Sequence, residues 1–130
     1  VSELVWDSSA LLAVLNREPG WENLAENLSE GAISAVNLAE VVGKLAERGM
    51  PREEILEVLA ALLLEVHSFD ADDAVLTGLL RPGTRDLGLS LGDRSCLALG
   101  SRLGRPVVTT DRAWAEVEEE EEGIEVRLAR

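Results

Sequence analysis

One histidine, one cysteine and one lysine in 130 residues leave this chain few of the usual instruments of catalysis. With Cys96 alone, no disulfide can form within the chain, which fits a reducing cytoplasm. His67 and Cys96 cannot together build a zinc site of the usual kind. Ser8 and Ser9 have no histidine near them in the pattern, which argues against a serine–histidine–acid triad. The sequence Gly100-Ser101-Arg102-Leu103-Gly104 lacks the lysine and the preceding strand of a phosphate-binding loop. Long apolar runs are missing too. The longest, from Val58 to Leu64, is far too short to span a bilayer, and the short apolar start broken by Asp7 is not expected to act as a signal peptide.

Positive charge is scarce: 12 basic side chains stand against 25 acidic ones, for a net charge of −13. A general nucleic-acid binder is usually basic. The deficit is uneven, however. Residues 1–80 are net −11 and residues 113–130 net −5, whereas residues 81–112 hold six arginines against three aspartates and are net +3. An anionic substrate would be tolerated beside that segment.

Hydrophobic residues make up 46% of the chain, enough for one domain over residues 1–130 with a core of its own. Short apolar runs alternate with helical patterns, with no linker and no internal repeat. Strands are expected at Glu3–Trp6, Gly31–Ala35, Val66–Phe69, Pro106–Thr109 and Ile124–Leu128. Helices are expected at Ser8–Arg17, Trp21–Ser29, Asn37–Arg48, Pro51–Leu64, Asp70–Leu80, Leu91–Leu103 and Asp111–Val117. Arg81–Gly88 reads as a loop rich in Gly, Pro and Arg, and the glutamates 118–122 as a solvated, frayed helix end. The order predicts an α/β fold with a largely parallel central sheet and helices on both faces. The helix from Arg52 to Leu64 carries Ile55, Leu56, Val58, Leu59, Leu62, Leu63 and Leu64 on nearly all sides. It must be central to the core or covered by a partner.

Four acids stand at or just beyond the ends of four apolar runs: Asp7, Glu40, Asp93 and Asp111. Each has a structural excuse. Asp7 and Asp111 can cap the helices that follow them, Ser90 with Asp93 reads as a capping box, and Asn37 with Glu40 as a variant of one. Capping does not require all four at one edge of the sheet, yet strands of a parallel sheet bring their C-terminal ends to one edge, where open α/β sheets carry their sites. Carboxylates gathered there repel unless a cation lies between them. With only oxygen donors on offer, magnesium is expected, or manganese.

Four segments in series resemble a known family. They are Val5-Trp6-Asp7-Ser8-Ser9-Ala10-Leu11-Leu12-Ala13, Ser34-Ala35-Val36-Asn37-Leu38-Ala39-Glu40-Val41, Ser90-Leu91-Gly92-Asp93-Arg94-Ser95-Cys96-Leu97-Ala98-Leu99 and Thr109-Thr110-Asp111-Arg112-Ala113-Trp114. Together they are similar to the PIN-domain ribonucleases, and within that family to the VapC-type toxins of bacterial toxin–antitoxin pairs. The resemblance implies a PIN-like single domain and a cytoplasmic, metal-dependent endoribonuclease. Asp7, Glu40 and Asp93 match its acidic triad and Asp111 its fourth acid. It also implies an RNA substrate and a small inhibitory antitoxin. In that reading Asp7 and Asp93 chiefly hold the Mg2+, and Glu40 and Asp111 complete its surroundings. Ser8 or Thr110 bonds the scissile phosphate or a carboxylate, and Arg94 and Arg112 meet flanking phosphates. The apolar helix 52–64 adds the expectation of a homodimer. A receiver-type or dehalogenase-like phosphotransfer domain would need a lysine at a late strand end, and Lys44 lies in mid-helix. A non-catalytic interaction protein that keeps the fold is the remaining alternative.

Overall fold

The structure is a computed structural model that describes residues 3–26, 28–117 and 123–129. The glutamate run 118–122 lies outside them. Five strands, β1 (Val5–Trp6), β2 (Ala32–Ser34), β3 (Glu65–His67), β4 (Val107–Thr109) and β5 (Val126–Leu128), form one sheet in the order β3-β2-β1-β4-β5. Every pairing is parallel. The chain winds outward from β1 to β3, then returns to β4 and winds the other way. The strand order therefore reverses between β1 and β4, the point beyond whose C-terminal strand ends open α/β sheets carry their sites.

Alternation along each strand divides the core in two. Val5, Ala32 and Val107 face a cluster that contains Cys96, Leu97, Leu99 and Trp114. Leu4, Trp6, Ile33 and Val108 face another, with Leu11, Val41, Leu45 and Ile55. The helices fill in around these faces: α1 (Ser8–Leu15), α2 (Trp21–Ala25), α3 (Ala35–Glu47), α4 (Arg52–Leu62), α5 (Ala71–Leu79), α6 (Arg81–Thr84) and α7 (Leu91–Leu103). Short 3-10 turns lie at Leu28–Glu30, Arg85–Leu87 and Arg112–Glu116. In α3 the buried positions are Asn37, Val41 and Leu45, four residues apart and so on one face.

The structure differs from the sequence reading in three places that bear on function. Helix α3 starts at Ala35, because Ser34 Oγ accepts the Val36 N–H at 3.2 Å and serves as the cap. Asn37 is thereby released from capping. Arg81–Gly88 is not a loop. Pro82 sits in the first turn of α6, where its missing N–H costs nothing, and Thr84 is fully buried with Oγ1 bonded to Leu80 O at 2.7 Å. The segment after Asp111 is a 3-10 turn anchored by Trp114, whose exposure is 0%. In α4 the apolar excess is real: Ile55 is buried, while Leu56 is 50% exposed and Leu63, just past its end, 69%.

Helix α7 lies against β4 at Gly100. A Cβ on Gly100 would collide with Val107 Cγ1 and stand 3.1 Å from Arg105 O. Gly100→Ala should therefore cost about 1–3 kcal/mol of stability through overpacking, despite the better helix propensity of alanine. Urea denaturation checks this; a variant as stable as the parent would show that α7 is not held at that distance.

Candidate functional site

Asp7 follows β1 at the strand-order reversal and is only 3% exposed. It occupies the N-cap position of α1, yet its side chain makes no capping bond. Its carboxylate turns instead toward β4. Ser9 Oγ donates to Asp7 Oδ2 at 2.5 Å, and Thr109 Oγ1 donates to the same oxygen at 2.8 Å. Each hydroxyl has one proton, so both are spent on Asp7. Their lone pairs are used as well: Ser9 Oγ accepts the Thr110 N–H and Thr109 Oγ1 accepts the Asp111 N–H, both at 3.1 Å. Asp7 Oδ1 is buried and has no hydrogen-bond partner among the described residues. Burial raises the Asp7 pKa above its ordinary value. The two hydroxyl bonds pull the other way, and the negative charges of Asp93 and Glu40 push it up further.

Glu40 lies one turn into α3 beyond Asn37. Its Oε1 accepts from Ser8 Oγ at 3.1 Å and from Asn37 Nδ2 at 2.9 Å. Asp93 forms a complete capping box at the start of α7: its Oδ2 accepts the Ser90 N–H at 2.8 Å, and its own N–H donates to Ser90 Oγ at 3.1 Å. Asp111 caps the 3-10 turn, with Oδ1 accepting the Ala113 N–H at 3.0 Å. Capping thus accounts for one oxygen each of Asp93 and Asp111. It accounts for nothing at Asp7.

Asp7, Glu40 and Asp93 are brought into mutual range. Asp93 and Glu40 act on Asp7, and all three charges bear on Cys96, whose fully buried thiol is pushed well up, mainly by desolvation. Asp111 joins at one remove, through the Thr109 hydroxyl that its N–H shares with Asp7. Among the described residues, no three Asp, Glu, His or Cys side chains form a ready-made metal cluster. Like charges hold carboxylates apart until a cation neutralises them. The donor set fits a hard divalent cation, being all oxygen and including a buried carboxylate oxygen with no other partner. It does not fit zinc: His67 ends β3 and pairs with Glu65.

The supporting residues were less well anticipated. The serine and threonine that hold Asp7 are Ser9 and Thr109. Ser8 does hold a carboxylate, that of Glu40, whereas Thr110 contributes only its backbone N–H, to Ser9. Asn37, wholly buried, was read as a cap and is instead a second donor to Glu40. Arg94 was expected to reach phosphates. It is 7% exposed and its guanidinium donates to Thr77 O at 3.2 Å, because that position of α7 faces α5. Arg112 is exposed. Only the period of two could have pointed to Thr109, two residues before Asp111 and on the same side of the chain.

The family model described as PIN domain matches residues 4–120. Among solved structures, the chain is similar to a toxin–antitoxin complex from Klebsiella pneumoniae, with 18% identity, 98% of each chain covered and a TM-score of 0.75. It is similar to DNA-bound VapBC from Salmonella typhimurium, with 23% identity, 100% of both chains covered and a TM-score of 0.72. It is also similar to VapBC2 from Rickettsia felis bound to a promoter fragment, with 17% identity, 96% of this chain and 97% of that one covered, and a TM-score of 0.72. At such identities the likeness establishes the fold. Among curated proteins no match was found.

The raised pKa of Asp7 fixes the sign of a pH effect. The folded state holds the Asp7 proton more tightly than the unfolded chain, so the associated stability is complete below the ordinary value of 3.8 and is lost as pH rises through the folded pKa. Asp7→Asn keeps an acceptor for Ser9 and Thr109 without the charge. In EDTA at pH 7 it should unfold at a higher temperature than the parent, with the difference closing in acid. A variant that is less stable at pH 7 would show that the ionised carboxylate is not penalised by burial.

Proposed function

The chain belongs to the PIN domain family, and on that premise we propose that it is a metal-dependent endoribonuclease, the toxin of a toxin–antitoxin pair, acting in the cytoplasm. The observation that carries this reading is Asp7: a buried carboxylate with an unpartnered oxygen, next to two more acids, at the point where the strand order reverses. Burying a charge in that way is costly and contributes nothing to the fold that asparagine would not. A cation site is the physical reason to keep it.

Asp7, Glu40 and Asp93 would hold Mg2+, with Mn2+ as a substitute, and Asp111 would complete the surroundings. When bound there, the ion supplies positive charge that polarises a phosphodiester and makes nearby water more acidic. The chain's own residues do the positioning. Ser9 and Thr109 fix Asp7 through Oδ2 and would leave Oδ1 for the ion. Ser8 and Asn37 hold Glu40. Asp111 Oδ2 accepts no hydrogen bond from the described residues and can orient the attacking water. Arg112, exposed beside Asp111, is placed to meet a flanking phosphate of RNA.

Partners follow from charge and from α4. The Klebsiella pneumoniae structure named above is a toxin–antitoxin complex, and an antitoxin of this chain would gain by placing an Arg or Lys among the acids. Val42, Ala46, Met50, Ile55, Leu56 and Leu59 line a mostly apolar groove of about 290 Å³ between α3 and α4. With Leu56 and Leu63 exposed beside it, this face supports a homodimer. The second reading, a PIN-fold interaction protein without catalysis, is favoured by one observation: the acids form no closed metal cluster as they stand.

Incubation with structured RNA separates the two. Cleavage is expected with magnesium, none with EDTA, and none from correctly folded Asp7→Asn. Equal cleavage by Asp7→Asn would remove the nuclease assignment from this site. For the dimer, light scattering of the purified chain should give twice the monomer mass, and Leu56→Glu with Leu63→Glu should halve it. A monomeric parent at high concentration would contradict the dimer.

A further inference from the structure

We propose that Asn37 and Gly92 form a cradle that sets the orientation of the Glu40 carboxylate, making both of them positioning residues for the metal site. The inference rests on the metal-dependent reading above and deepens it. Asn37 has 0% exposure, and both protons of its amide are used. One goes to Glu40 Oε1 at 2.9 Å, the other to Gly92 O at 3.0 Å. One side chain thereby ties the acid of α3 to the first turn of α7, the turn that carries Asp93. The amide cannot be turned over, because its oxygen would then face a carboxylate and a carbonyl, both acceptors. Its own oxygen is buried without a partner among the described residues, a standing cost that packing alone would not retain.

Gly92 closes the other side. A Cβ there would lie 2.5 Å from Glu40 Oε2, 2.6 Å from Oε1 and 2.7 Å from Cδ. The carboxylate therefore rests flat on the Gly92 backbone, and only glycine lets it do so. Since Ser8 and Asn37 both bond Oε1, Oε2 is left without a hydrogen bond from the described residues. An aspartate at position 37 would repel Glu40, and an aliphatic residue would let it swing. Partners of this kind, which orient a ligand without touching the metal, are worth about 10- to 100-fold in metal affinity.

Two measurements test this. In the metal-free protein, NMR of the Asn37 side-chain amide should show two slowly exchanging protons that shift in Gly92→Ala and in Glu40→Gln. Fast exchange, unmoved by either change, overturns the cradle whether or not metal binds. Calorimetric titration with manganese then reads its consequence. Asn37→Leu and Gly92→Ala should each weaken binding by about 10- to 100-fold, with the double variant little worse than either, since both act on one carboxylate. Gly92→Ala meets only the end of a flexible side chain, so it keeps the fold if Asn37→Leu does not. Weakened binding in Glu40→Gln together with parental binding in both cradle variants would overturn the proposal and leave the metal reading intact. No manganese binding by the parent would instead overturn the metal reading, and with it the claim that the cradle serves a metal ligand.

Discussion

A single buried charge governs this molecule. Asp7 stands at the end of the central strand, where β1 adjoins β4 and the sheet reverses its order, with its carboxylate almost entirely withdrawn from water. Two hydroxyls satisfy one of its oxygens, while the other has no partner among the described residues. An ionised group in that position raises the free energy of the fold. Much of the surrounding structure can be understood as holding that group, and the acids near it, in place.

The holding is done by connections that meet at the C-terminal edge of the sheet. Ser9 and Thr109 join α1 and β4 to Asp7, and their lone pairs accept the Thr110 and Asp111 N–H groups, so the turn after β4 is locked to the same network. Trp114, buried in the core below, fixes that turn from the other side. Asn37 joins α3 to α7, and the Ser90–Asp93 box sets where α7 begins. In the proposed site Asp93 and Asp111 would serve twice, since one oxygen of each stabilises a helix end and the other carries no such duty. This dual use explains why neither acid, taken alone, distinguishes a cap from a ligand.

The fold was legible because its signals are local. Apolar runs bounded by Gly, Pro and capping residues mark β1, β4 and α7, and α7 spans Leu91–Leu103 as the pattern predicts. The candidate acids stand out in the sequence because Asp7, Asp93 and Asp111 lie at a strand end or a helix start and Glu40 follows in the second turn of α3. What escaped depends on contacts far apart in sequence. Thr109 meets Asp7 across 102 positions and Asn37 meets Gly92 across 55, and no periodicity reveals such a meeting. Arg94 shows the converse. Its neighbour Asp93 suggested a place at the site, but one step along a helix turns a side chain by about 100°, and that turn sends it into the α5–α7 contact. Arg81–Gly88 was misread because Pro and Gly suggest a loop, whereas Pro82 in a first turn and Gly88 past the end are compatible with short helical turns.

The central claim is that the unpartnered oxygen of Asp7 is a cation ligand. Crystals grown with manganese, measured for anomalous scattering, test it without any appeal to turnover. The account predicts a single strong peak bonded to Asp7 Oδ1, with carboxylate oxygens of Glu40 and Asp93 around it. A structure in which manganese binds only elsewhere, and Asp7 Oδ1 is met by a protein donor or by nothing, would contradict it.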